Sequence, residues 1–294
     1  MQNAPLEVQR PAVRIDMHRY RTKTELGTGW LPDLPDFRDY TIKSEPIRAL
    51  FREGAPQTAA PALPPDRDLR QYCSAVEDQG NLGSCTAQAV IGLLEYFERR
   101  THQEHLDASA RFLYKVTRKL YGFEGDTGAY VRGAMKALKL FGACPEEFWP
   151  YLINKFEEEP SAFCYAFAQQ YQALKYYRIW HDNGDALVTE LKSSLANGLP
   201  FAFGFSVYSS IWDAAVQDSG NIPFPGVQDR LEGGHAVMAV GYDDANERFL
   251  IRNSWGTGWG QQGYGTLPYE YVRQGIADDF WVLVTAEYIT LMGL

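Results

Sequence analysis

The chain has 294 residues, enough for one large domain or two smaller lobes around a real core. Hydrophobic residues make up 45% and charged residues 22%, as in ordinary globular proteins, with a generous aromatic share of 7 Trp, 18 Tyr and 16 Phe. A net charge of −9 without a long basic run argues against nucleic acid or an anionic membrane surface as main partner, and no apolar run approaches the roughly 18 residues of a membrane span.

The opening, MQNAPLEVQRPAVRIDMHRY, lacks the apolar centre of a secretory signal, which leaves a cytoplasmic location, export by another route and prior removal of a signal all open. Residues 1–65 read as an N-terminal extension. GWLPDLPDFRDYTI, punctuated by Pro, Gly and Asp, predicts turns and extended chain. SEPIRALFR predicts a short helix with Ser44 as its cap and Pro46 in its first turn. GAPQTAAPALPP, residues 54–65, reads as a linker that would reach about 37 Å if extended at ~3.1 Å per residue, or as part of a disordered tail.

From Asp66 to the end, at 294, the pattern becomes globular. SCTAQAVIGLLEYFERR sets Ala87, Val90, Ile91, Leu94 and Phe97 at helical spacing, with Arg99 and Arg100 suited to the negative end of a helix. SARFLYKVTRKLYG and GAYVRGAMKALKLFG predict two more amphipathic helices, the second closed by Gly142. Residues 66 to about 170 thus read as mainly helical. From about 171 the period changes: after one more helix, DALVTELKSSLANG, the runs LPFAFGFSVY, GGHAVMAVGYDD, RFLIRNSW and DDFWVLVTAEYI predict strands. A helical lobe followed by a sheet lobe predicts an α+β protein, and a cleft between two such lobes is a usual place for a site.

Four cysteines (Cys73, Cys85, Cys144, Cys164) without a CxxC pair fit neither a disulfide-dense secreted scaffold nor a structural zinc site, and no cofactor is implied. If Cys85 is a free thiol, the other three allow at most one bridge, for which Cys73 with Cys144 is the candidate. Cys85 stands where the glycine-rich loop EDQGNLGS becomes a helix, and unpaired N–H groups at a helix start favour a thiolate. Taken alone, a cysteine heading an apolar helix is more often core packing. Of the five histidines, His18 lies in the irregular extension, His102 and His105 follow a charged helix end, and His181 sits beside a turn. Only His235, in EGGHAVMAVGYDD, heads an otherwise apolar strand, as a base or as a core ring bonded to backbone. LIRNSWGTGWGQQGYG supplies an Asn that could orient an imidazole beneath a Trp, or simply forms an aromatic hairpin.

Together, NQG…GSC, GHAVMAVGY and IRNSWGTGWGQQGYG resemble, in order, the three signature blocks of the papain-like cysteine peptidases, and PPDRDLRQYCSAVEDQG resembles the start of the mature enzyme; the NQG of the first block stands here as Asp78-Gln79-Gly80. The resemblance spans roughly residues 64–290 and is nearest in flavour to the short bacterial branch, through LPDLPDFRDY and LGSCTAQA. It implies a papain-like two-lobe fold, helical on the left and β-barrel-like on the right. It also implies a cysteine endopeptidase acting on peptide or protein substrates through a thioester.

Carried over by position, Cys85 matches the nucleophile, His235 the base, Asn253 the residue holding the imidazole tautomer, and Gln79 the side-chain donor of the oxyanion hole. Trp255 matches the ring shielding the Asn–His contact and Trp259 a second aromatic at the leaving-group side. Gly128 matches a glycine whose backbone pairs with an extended peptide, and Gly83 and Gly234 flank the nucleophile and base as further substrate-binding positions. The resting pair is expected to be thiolate–imidazolium.

Thr86 stands where the family usually has Trp, Leu82 where it has a bridged Cys, and Gly234 where many relatives carry Asp. Gly204 and Gly233 fall where larger residues often line the pocket for the second substrate residue, implying a roomy pocket for bulky apolar side chains. The front segment is shorter than the usual inhibitory propeptide and is expected to pack across or beside the cleft. The same chemistry could serve a transpeptidase or amidase, and the scaffold a non-catalytic peptide-binding module.

Overall fold

The computed structural model describes residues 26–52, 62–103, 105–171 and 175–285. His18 and residues 54–61 of the expected linker lie outside the described residues.

The helices form where their periodicity and caps predict. α1 (Glu45–Arg52) starts after Ser44, whose carbonyl accepts the N–H groups of Ile47 and Arg48; Pro46 in the first turn has no N–H to satisfy. α2 (Cys85–His102) is buried on every side from Cys85 to Phe97, including Gln88 and Glu95. The apolar stripe is therefore only part of its contact. It packs on the sheet on one side and on α3 (Ala110–Leu120) and α4 (Val131–Phe141) on the other, the setting of a helix surrounded by protein. The Ser109 side chain accepts the Phe112 N–H at the start of α3, and α4 ends at Gly142 with φ 77°. A short α5 (Ala162–Ala168) completes the first lobe.

The second lobe is one antiparallel sheet of seven strands. β1 (Asp66–Asp68) pairs with β4, and the remaining order is β2 (Lys175–Ile179), β7 (Ala277–Val284), β3 (Phe201–Tyr208), β4 (Leu231–Asp243), β5 (Arg248–Arg252) and β6 (Tyr264–Pro268). Among the described residues no ladder joins β2 to β6, so the expected β-barrel-like lobe is an open sheet. α6 (Gly184–Ala196), capped by the Asn183 side chain on the Ala186 N–H, packs on β4 and β2, with the short α7 (Ala214–Ser219) and α8 (Glu270–Arg273) at the periphery. None of the described helices is long and apolar enough to cross a membrane.

All four cysteines are free, which corrects the Cys73–Cys144 pairing. Cys73 Sγ turns to its own Leu69 carbonyl at 3.9 Å, whereas Cys144 Sγ lies beside Cys164. The two proposed partners thus face different neighbours.

Candidate active site

The first turn of α2 abuts the strand that carries His235. Cys85 is fully buried, and backbone N–H groups of Ala236, Thr86 and Cys85 itself face its sulfur. Those donors favour a thiolate, but burial outweighs them and pushes the thiol up to about 12.

His235 sits in β4 opposite Phe205 of β3. Its Nε2 lies 2.7 Å from Asn253 Oδ1, which also accepts the Ser254 N–H. An amide oxygen can only accept, so Nε2 carries the proton and Nδ1 keeps its lone pair. Nδ1 is buried and bonds no described group. Trp255 stacks on the imidazole with centroids 4.5 Å apart, and Phe205 meets it edge-on at 5.8 Å. Trp259 meets Trp255 edge-on, and Trp212 stacks on its ring. This aromatic box dries the His–Asn contact, and burial carries the imidazole down to about 4 despite the bond to Asn253. With the arm docked, burial thus disfavours the charged form of both groups and opposes the expected ion pair, because water is excluded from them.

Gln79 is also fully buried. Its Nε2 donates to Leu82 O at 2.7 Å and to Gly27 O at 3.1 Å, while Ser254 Oγ donates to its Oε1. Tyr151 OH donates to the Gln79 carbonyl and shares a 2.5 Å bond with Ser84 Oγ. The Asp126 carboxylate accepts the Gly83 N–H and the Tyr114 hydroxyl, and that hydroxyl accepts the Gly128 N–H. This polar clamp ties the loop before the nucleophile to the Gly128 edge.

Residues 26–31 of the N-terminal extension run through the same groove. Gly27 O accepts from Trp255 Nε1 at 3.0 Å as well as from Gln79. Gly29 N and Trp30 N donate to Gly234 O; Ala129 N donates to Gly29 O, and Leu31 N to Ala129 O. Ala129 thus makes the backbone pairing expected of Gly128. Gly128 instead lies beneath the crossing chain, with φ 75° and room for no Cβ, since Gly29 O would stand 2.2 Å from one. The indole of Trp30 enters a slot between β3, β4 and β7, where a Cβ on Gly204 would meet the ring at 1.9 Å. Gly234 faces the same ring, whereas Gly233 faces Thr28.

The structure therefore brings Cys85, His235, Asn253, Gln79, Trp255, Trp259, Gly83, Gly128, Gly234 and Gly204 around one groove. His102 and His105 stay apart from it, and His105 Nδ1 lies 3.5 Å from the Arg99 guanidinium, a poor setting for a cation. Among the described residues no group of three or more His, Cys, Asp or Glu is placed to hold a metal ion. A cavity of about 560 Å³ beside Phe51, Tyr177, Trp180 and Leu199 contains none of the residues above. Sequence reasoning passed over Ser254, Tyr151, Asp126, Phe205 and Trp212. Only Ser254 carried a local signal, as a hydroxyl inside the Asn-Ser-Trp run.

The family model for the papain family of cysteine proteases matches residues 63–282. An uncharacterized peptidase C1-like protein of Acanthamoeba polyphaga mimivirus is 35% identical over 212 residues, 70% of this chain and 68% of that one. A cathepsin L-like proteinase of Fasciola hepatica is 30% identical over 251 residues, 81% of this chain and 72% of the other. The crystal structure of xylellain, a cysteine protease from Xylella fastidiosa, has a TM-score of 0.76 and 38% identity over 90% of this chain and 98% of its own.

Proposed function

The chain belongs to the papain family of cysteine proteases, and from that premise we propose that it is an endopeptidase working through Cys85, His235 and Asn253, with its groove closed by its own residues 26–31. The observation that carries the reading is the meeting of three elements. Cys85 Sγ lies against the Ala236 N–H, the adjacent His235 is held through Nε2 by Asn253 at 2.7 Å, and Nδ1 is left for proton transfer.

In the working form the proton moves from Cys85 Sγ to His235 Nδ1. The thiolate attacks the peptide carbonyl carbon, and the C–O π electrons move to oxygen. Gln79 Nε2 and the Cys85 N–H receive that oxyanion, the position where preorganised donors lower the barrier most. As the tetrahedral adduct collapses, His235 Nδ1 gives its proton to the departing nitrogen, leaving a thioester. Water then loses a proton to Nδ1 and attacks the thioester carbonyl, and Cys85 leaves as thiolate. Asn253 holds the ring in the tautomer that keeps Nδ1 available throughout.

The docked arm opposes each step. Gly27 O occupies a donor of Gln79, Trp30 fills the neighbouring slot, and dry packing disfavours charge on sulfur and imidazole. The test is hydrolysis of a fluorogenic peptide by the full chain carrying Trp30→Ala, with and without Cys85→Ala. Turnover that depends on Cys85 supports the reading. Turnover that survives Cys85→Ala, or no turnover although Cys85 is reachable by thiol reagents, overturns it.

A further inference from the structure

The slot that holds Trp30 has a polar end that a merely roomy apolar pocket would not need. Trp30 is only 4% exposed, and its Nε1 donates to Asp279 Oδ2 at 3.3 Å. Asp279 is fully buried and adopts φ 67°, a left-handed conformation that costs a side-chain-bearing residue energy. It lies where the β3–β7 register slips, between the pairs Ala202–Trp281 and Gly204–Asp278, and such an irregularity re-aims a side chain. The other carboxylate oxygen is already committed. Oδ1 accepts Trp281 Nε1 at 2.6 Å and lies 3.4 Å from Arg178 Nη1.

From this geometry we propose that Asp279 is a specificity-determining residue that makes the slot select tryptophan in the substrate, by pairing its free oxygen with an indole N–H. The inference rests on the peptidase reading and names the substrate class for it: peptides or proteins with Trp at the residue that replaces Trp30. Three features support an indole over other side chains. Gly204 and Gly234 leave room for a flat ring system, since a Cβ on either would stand under 3 Å from the Trp30 ring or its carbonyl. Arg178 lies 3.4 Å from Oδ1 and also pairs with Asp278 at 3.1 Å, so part of the carboxylate charge is met inside the protein, and a neutral N–H donor can bond Oδ2 without burying a second cation. When the arm leaves, Oδ2 loses the donor it has among the described residues, and a buried acceptor without a partner is costly. A substrate Trp restores the bond; Phe or Leu leaves it unmade. Asp279 touches the substrate residue but none of the reacting atoms.

The test uses the full-length chain with Trp30→Ala, which vacates the slot, and Cys85→Ala, which prevents turnover. Calorimetry compares short acetylated peptide amides identical but for one residue: Trp, 3-benzothienylalanine (the same shape with sulfur in place of N–H), or Arg. The Trp peptide is expected to bind about tenfold or more tighter than its benzothienyl counterpart, and tighter than the Arg peptide. Equal affinity for Trp and benzothienylalanine, preference for Arg, or no binding of any peptide overturns the proposal. Hydrolysis of the Trp peptide by the Trp30→Ala chain with Cys85 intact is read separately. A Trp preference in binding without hydrolysis would sink the peptidase reading and leave the slot assignment standing. Should Trp30→Ala fail to fold, 3-benzothienylalanine placed at position 30 of the full chain reads the same bond within the arm. Losing the N–H with the ring shape kept should raise alkylation of Cys85 by about tenfold, and an unchanged rate overturns the proposal.

Discussion

Replacing Trp30 by Ala in the full chain separates a closed site from an open one. The docked sulfur is pushed up to about 12, so at pH 7.5 almost none of it is thiolate, and alkylation must pass through a state with the arm lifted. Trp30 is 4% exposed, its indole packs against Gly204 and Gly234, and it donates to Asp279. Removing so buried an indole typically costs about 3–5 kcal/mol. Since Trp30 contacts the rest of the protein only while the arm is docked, that loss falls on docking. At about 1.4 kcal/mol per tenfold, the open fraction should rise by a factor of roughly 10² to 10³ or somewhat more. Iodoacetamide labelling of Cys85, mapped by peptide mass, reads this directly. Leu34→Ala in the same segment, where the side chain is 82% exposed, is the control and should leave the rate unchanged. A change under about threefold for Trp30→Ala would refute the reasoning, because the indole would then not be what holds the arm down.

Gln79→Ala, made in the Trp30→Ala chain, should lower kcat/KM by about 10² to 10³ while leaving Cys85 open to alkylation; a loss under fivefold in steady-state assays would remove Gln79 from the oxyanion hole. Gly204→Ala should eject the indole, since its Cβ would overlap the ring, so alkylation of Cys85 rises as it does in Trp30→Ala. Acid should destabilise the closed protein through His235. Burial lowers its imidazole to about 4, so its contribution is complete above the ordinary value of about 6.5 and is lost as pH falls from there toward 4. Between pH 7.5 and 4.5 the full chain should lose about 2.5 kcal/mol more in urea unfolding than a His235→Gln variant. Equal losses would mean that the ring is not held neutral.

Much of this architecture is legible locally. α2, α3 and α4 follow from their 3.6-residue period, and Ser109 and Gly142 mark their ends as caps should. β3, β4, β5 and β7 follow from short β-branched and aromatic runs. β2 is hidden because KYYRI carries charge at both flanks and alternates poorly, and β6 because TyrGlyThrLeuPro continues a glycine-rich run that reads as turn. Cys85, His235, Asn253 and Gln79 are legible because each stands in a local block with a chemical reason for its residue type. Trp30 and Asp279 are not. Their contact joins an extended arm to an irregularity in β7, and nothing near either residue in the chain announces the other. The burial that opposes a charge on Cys85 is hidden for the same reason: the sequence shows the helix start that favours a thiolate, but not the distant segment whose packing excludes water.

The account depends most on partnership between the Cys85 sulfur and the His235 ring once the arm is displaced. An epoxide thiol reagent applied at pH 6.5 to the Trp30→Ala chain, with the modified peptide identified by mass spectrometry, measures that partnership. The account predicts label on Cys85 alone, forming at least 100-fold more slowly when His235→Ala is added. Label spread over Cys73, Cys144 and Cys164, or a rate on Cys85 indifferent to His235, would contradict it.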